Sequence, residues 1–311
     1  GGGVYLRTGG RLDDCVITGN RAYNNDGGGV YVAGAGELSR CVIQHNRAYQ
    51  WGGGMSIEYQ GRATHCTIVS NLVDHRDGGG VSLDGGGELN NCLVAYNTAT
   101  SSLAVAGGVY FGGGGTLRNS TVVRNTVRTN DCGGGVYLDS GGEVINSIVA
   151  RNAFDDYHNF GGTISHSCMR PLAYGTGNIA GDPGFLDEHD YRLSASPCID
   201  AGDTAEVVGA VDLGGLARVF HYTVDMGCYE NHVFPPTILR PVHVPPVRMR
   251  AWYTTNTSAW IEGTKSNLHW TVITNAAGTW VTNTLVQAWD VSSWSNFVTF
   301  SWTTPGTRET N

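Results

Sequence analysis

The sequence predicts an all-β chain: a right-handed parallel β-helix of six repeats of about 26 residues plus a cap, followed by a small Ig-like β-sandwich. Three observations predict it. Two sequence markers recur with one shared period, the residues between them alternate apolar and polar, and an asparagine returns at one fixed place in every repeat.

The first marker is a Gly-Gly-Gly-Val-Tyr motif or a variant of it, with its apolar residue at Val4, Val30, Met55, Val81, Val109 and Val136. The second begins at Cys15, Cys41, Cys66, Cys92, Ser120 and Ser147. Both advance by 26, 25, 26, 28 and 27 residues. Chance does not give two independent markers the same uneven spacing. Leucine-rich repeats need a helical side, propeller blades need about 40 residues, and calcium-binding nonapeptides need a denser Gly and Asp pattern. The parallel β-helix is what remains.

Each repeat position then reads as a column running along the solenoid. Leu6, Val32, Ile57, Leu83, Phe111 and Leu138 stand two residues beyond the first apolar position, with Tyr5, Tyr31, Ser56, Ser82, Tyr110 and Tyr137 between. Alternation with period two turns the first set inward and the second outward. Ile17, Ile43, Ile68, Val94, Val122 and Val149 form a β-branched inward column. Leu12, Leu38, Ala63, Leu89, Leu117 and Val144 form another. Outside them Arg11, Glu37, Arg62, Glu88, Thr116 and Glu143 alternate in sign through the first four repeats. Coils about 4.8 Å apart tolerate such alternation, where like charges would repel.

Asn20, Asn46, Asn71, Asn97, Asn125 and Asn152 follow the Cys/Ser column by five residues. Asparagine accepts turn conformations, and in stacked copies it bonds its neighbour's amide, so a structural ladder is expected.

Four segments follow: coils over 1–157, a last coil and cap over 158–230, a linker over 231–250, and a β-domain over 251–311. The linker carries Pro235, Pro236, Pro241, Pro245 and Pro246, which makes it stiff and extended. Beyond it, runs such as Leu268-His269-Trp270-Thr271-Val272 alternate and are rich in Trp, Thr and Val. They resemble a bacterial Ig-like sandwich. Structural packing is the expected role of these aromatic residues, with sugar stacking the alternative.

Composition narrows the function. Glycine is abundant at 46 residues, and charged residues make up only 15%, as a turn-rich β-protein requires. The net charge is -8 with no basic run, so no nucleic-acid partner is expected. No apolar stretch reaches the roughly 18 residues of a membrane-spanning helix. The chain opens inside a repeat, so residues upstream of Gly1 are expected.

Of the cysteines, Cys15, Cys41, Cys66 and Cys92 form one inward column, expected to be free and to pack as small apolar residues. A row of equivalent positions cannot surround a metal tetrahedrally, so no metal site is expected there. One disulfide among Cys168, Cys198 and Cys228 is expected, with Cys198–Cys228 the first choice and Cys132 unassigned.

No catalytic residues emerge. Glycosidases and lyases on such scaffolds need clustered carboxylates on one outer face. Asp26, Asp77 and Asp131 fall on non-consecutive repeats, as do Asp84 and Asp139, and no carboxylate pair on adjacent coils is expected. No cofactor is required. Asp182, Asp187, Asp190, Asp200, Asp203, Asp212 and Asp225 leave Ca²⁺ open for the cap, and turn capping accounts for them equally.

The paired motifs resemble the polymorphic outer-membrane-protein family of bacterial β-helices. Those proteins repeat Gly-Gly-Ala-(Ile/Leu/Val) and Phe-x-x-Asn, where this chain has Gly27-Gly28-Gly29-Val30 and Ile17-x-x-Asn20. The segments Gly181-Asp182-Pro183-Gly184-Phe185, Ser196-Pro197-Cys198-Ile199-Asp200-Ala201-Gly202 and Val224-Asp225-Met226-Gly227-Cys228 resemble the cap of the choice-of-anchor β-helix proteins. The resemblance implies an extracellular or bacterial cell-surface protein and no particular reaction. The expected function is a non-enzymatic structural or adhesin-type β-helix, part of a surface protein or self-assembling filament. Its partners would be other protein chains, through end-to-end contact, or a polysaccharide. A polysaccharide-active enzyme or carbohydrate-binding protein is the alternative.

Overall fold

The computed structural model describes residues 1–128, 133–220 and 223–232 in full, and the backbone of four strands further on. Residues 1–232 and 233–311 form separate compact units.

The first unit is a right-handed parallel β-helix. One coil illustrates all of them: strands Met55–Glu58, Arg62–Thr64, Thr67–Val69 and Leu72–Val73 succeed one another, and the chain then climbs to the next level. Equivalent strands stack into parallel sheets of seven, seven, six and five strands. The first two sheets gain their seventh strands from Asp155–Asn159 and Thr163–Ser165, a partial seventh coil beyond the six repeats.

The strands are short because a corner follows every three or four residues. Two corners per coil are made by a single residue in the left-handed region. One column runs Asp14, Arg40, His65, Asn91, Asn119, Asn146 and His166, each just before the Cys/Ser column, with φ between 44° and 54°. The other, Gly19, His45, Ser70, Tyr96, Arg124 and Arg151, precedes the asparagines. Non-glycine residues seldom adopt this conformation. Here the same carbonyls and amides are engaged coil after coil, and that repetition holds it.

The glycine triplets answer a different demand. Gly52 needs its φ of +62°. Gly53 needs its missing side chain, since a Cβ there would lie 2.3 Å from the carbonyl oxygen of Gly79 on the next coil.

Inside, the inward columns form one continuous core from Ile17 to Ile164, in which Val30, Ile57, Leu83, Phe111 and Leu138 are fully buried. Register follows the repeat arithmetic, with Val4 opposite Val30, Ile17 opposite Ile43 and Leu12 opposite Leu38. The charged column is also in register, Arg11 beside Glu37 and Arg62 beside Glu88. Arg62 pairs with Glu88 at 3.5 Å, while Arg11 turns to Asp13 on its own strand.

The segment expected to cover the last coil divides its work. Ile164, Met169 and Ala173 close the interior column. Residues 185–201 and 224–228 instead lie against the flank of the third sheet. Phe185, Tyr191, Leu193, Met226 and Cys228 pack on its outward residues Leu93, Ala95, Val123, Ile148 and Ala150. A strap then runs down one corner of the helix: Asn146 donates to the Asp203 carbonyl, Asn90 to that of Val208, and His65 meets that of Val211. The outer face of this sheet therefore changes from exposed at Val16 to buried at Ile148.

In the second unit, strands Val247–Tyr253, Ala259–Lys265, Asn283–Asp290 and Ser293–Ser301 form one antiparallel sheet. The first of them begins inside the segment expected to be linker. The second sheet that an Ig-like sandwich needs is not found among the described residues. The prolines from Pro235 to Pro246, together with Asp131 and Cys132, lie outside those residues.

Candidate functional site: an acidic cleft between two aromatic stacks

The six asparagines stand in one column, buried at Asn46, Asn71, Asn97 and Asn125 and half-buried at its two ends. From Asn46 through Asn152, each Oδ1 accepts both the backbone N–H and the side-chain Nδ2 of the asparagine one coil below, at 2.9–3.1 Å. The remaining Nδ2 hydrogen reaches a backbone carbonyl, as from Asn71 to Ile43 at 2.9 Å. Asp156 ends the series, accepting from the backbone of Asn152 at 3.2 Å. Every donor is used internally, so this column is scaffold.

The cysteine column is also more than apolar filling. The thiols of Cys41, Cys66 and Cys92 each approach the carbonyl two residues back at 3.3 Å. The hydroxyls of Ser120, Ser147 and Ser167 donate to the same carbonyl at 2.7–2.8 Å. Cysteine and serine thus do one job in one column.

Cys198 and Cys228, the expected bridge, are both free thiols, as are Cys15, Cys41, Cys66, Cys92 and Cys168. The cap's fold explains it. Cys198 has Cys168 as its sulfur neighbour, whereas Cys228 faces Thr121, whose hydroxyl accepts its backbone N–H at 3.1 Å. Burial pushes the Cys228 thiol up to about 12.

No group of three His, Cys, Asp or Glu side chains is placed to hold a metal ion among the described residues. The cap aspartates bind turn amides: Asp187 accepts from His189 and Asp190, Asp203 from Ala205, Asp212 from Leu216, and Asp225 from Asp200 and Asn231.

The outer face of the first sheet carries the site that column reading missed. Tyr5 and Tyr31 stack with ring centres 5.2 Å apart and planes within 7°. Three coils on, Tyr110, Tyr137 and His158 continue the column, with successive centres 6.1 Å apart. Between the stacks the column holds only Ser56 and Ser82. Two missing rings open a cleft of about 140 Å³, floored by these serines and closed at one end by Tyr110.

Three carboxylates line it. Glu58 and Asp84 are register partners on adjacent coils, which corrects the expectation that no such pair exists. They stand three residues beyond Met55 and Val81, and the same 26-residue step links them. Gly112 occupies the next place in their column and leaves room for Asp84, whose Oδ1 lies 3.1 Å from where a Cβ would be. Asp26 comes from the glycine-rich turn at the other edge of the sheet, where Trp51 donates its backbone N–H to Asp26 at 3.2 Å. Tyr31 donates its hydroxyl to Glu58 at 2.6 Å. Burial holds the Asp26 carboxyl above the usual carboxylate range, and the negative charges of Glu58 and Asp84 raise it further.

The serines are the unusual part. Ser56 and Ser82 are only 3% and 2% exposed, and neither hydroxyl has a hydrogen-bond partner among the described residues. The side chains are buried as a whole, while their oxygens face the cleft. Here both open into the cleft, where a ligand or water would supply the missing bonds. The cleft offers aromatic ring faces, hydroxyls and carboxylates, which together suit a polyhydroxylated ring.

Residues 1–127 match the family model described as the right handed beta helix region. Fold and match together define the class, a right-handed parallel β-helix protein. No curated protein and no solved structure compared with the chain matches it. No helix among the described residues is long and apolar enough to cross a membrane.

Proposed function

We propose that this protein is a non-enzymatic, surface-displayed β-helix that binds a glycan in the cleft between Tyr31 and Tyr110. The observation that carries the reading is the pair of cleft-facing hydroxyls of Ser56 and Ser82, without a partner among the described residues, set between two aromatic stacks and beside three carboxylates. Stacked coils hold backbone and side chains in register, so the groups are positioned before any ligand arrives, and binding costs little ordering entropy. The resemblance of repeats and cap to bacterial surface β-helices agrees with display outside the cell.

Calorimetric titration of the whole protein with a panel of oligosaccharides tests it. Binding is expected for at least one class, weakened about tenfold or more by Trp51→Ala, which corresponds to about 1.4 kcal/mol. Absence of binding to every class at millimolar concentration would overturn the reading.

One observation favours glycoside hydrolysis instead. Asp26 has a raised pKa and shares the cleft with Glu58 and Asp84, the division into acid and base that such chemistry uses. Release of shorter sugars from a bound oligosaccharide, abolished by Asp26→Asn, would replace the binding reading with this one.

A further inference from the structure

Resting on the glycan-binding reading, we infer that the cleft selects a cationic glycan, a polymer of amino sugars carrying free ammonium groups, over neutral or uronic-acid polymers. Asp26, Glu58 and Asp84 line one cleft, Asp84 at its exposed rim, and no lysine or arginine lines it, Arg76 lying over the Trp51 ring. A carboxylate-bearing sugar would enter against three like charges. A neutral sugar would bond Ser56 and Ser82 and leave the repulsion among the carboxylates in place. An ammonium group would relieve that repulsion.

The lining makes the choice specific to a sugar carrying the charge. Ser56 and Ser82 present unpartnered hydroxyls at 3% and 2% exposure, which a bare cation does not satisfy as donor and acceptor. Tyr110 presents aromatic surface to which an ammonium group and the apolar side of a pyranose both adhere, and the Trp51 ring already carries a cation, the Arg76 guanidinium 5.3 Å from its centre. The enclosed position of Asp26 lowers the local dielectric and lengthens the reach of each charge. Burial is the main reason its carboxyl is raised, and the charges of Glu58 and Asp84 add to it.

Calorimetry with three four-residue probes on the full chain decides the matter: a glucosamine oligomer, its fully N-acetylated form, and a galacturonate oligomer. The glucosamine oligomer is expected to bind at least tenfold tighter than the acetylated one, and the galacturonate oligomer not at all. The preference should shrink with added salt and in Asp84→Asn, with melting curves confirming that the variant folds. Equal or tighter binding of the acetylated or galacturonate probe would overturn this inference while leaving the glycan-binding reading intact. Failure of all three, with no binding across the wider panel, would remove both.

Discussion

The backbone N–H and the side-chain Nδ2 of Asn46 both donate to a single atom, Oδ1 of Asn71, at 2.9 and 3.1 Å. One carboxamide therefore satisfies a corner amide of one coil and fixes the side chain of its neighbour. Asn71→Ala would orphan the Asn46 amide, which is shielded from water, and remove the side-chain bond to the Ile43 carbonyl. A loss of about 2–5 kcal/mol is expected. Asn20→Ala, at the ladder's other end, leaves no amide of another asparagine unpaired and should cost about 1 kcal/mol. Urea denaturation compares the two, and equal losses would contradict the ladder's role. Hydrogen exchange at Asn46 should rise in Asn71→Ala alone.

Cys66 occupies a column in which serine makes the same bond two coils further on. Cys66→Ser is expected to change stability by less than about 1 kcal/mol, although it places a hydroxyl in a fully buried site. Cys66→Val, closer to the thiol in apolarity but without a donor, should cost more. The reverse order in thermal melting would show that the column is apolar packing alone.

Gly53 and Gly9 separate close approach from mere glycine content. An added Cβ at Gly53 would meet the Gly79 oxygen at 2.3 Å, whereas at Gly9 it meets nothing within 4 Å. Gly53→Ala is expected to destabilise by about 2 kcal/mol or more, because backbone has to move. Gly9→Ala should be neutral within about 0.5 kcal/mol. Melting temperatures of the two variants check this.

Glu230 gives the cap a pH dependence. Burial, with the nearby charge of Asp225, raises its carboxyl from 4.5 to about 7 and outweighs the attraction of Arg218 at 3.6 Å. A raised carboxyl favours the protonated folded state. Its stabilising contribution is complete below about pH 4.5 and lost as pH rises through about 7. Relative to Glu230→Gln, the wild type should lose melting temperature across that window. A constant difference between the two from pH 4 to 8 would rule this out.

The core was legible because parallel coils turn sequence spacing into vertical distance. Val30, Ile43 and Leu38 could be placed by arithmetic alone. The same arithmetic reaches Glu58 and Asp84, but their column mixes them and Asp139 with Arg7, Ala33 and Gly112. A search for repeated identity passes over it. The cleft also needed a further fact, that replacing tyrosine by serine in two consecutive coils opens a space. That space depends on what the rings on either side do.

The cap was not legible in the same way. His65 meets the carbonyl of Val211, 146 residues further along the chain, and Arg118 pairs with Glu206 across 88. No period links such positions. The Cys198–Cys228 expectation failed for that reason, since spacing says nothing about which sulfur faces which in an aperiodic segment.

By itself, then, the sequence determined the solenoid, its register, its inward columns and the asparagine series, because each coil repeats the interactions of the one before. Only the tertiary structure decided where residues 185–220 and 223–228 lie, which thiols are neighbours, and that Asp26 shares a cleft with Glu58 and Asp84. Those relations join parts of the chain that repeat nothing, and packing in three dimensions alone brings them together.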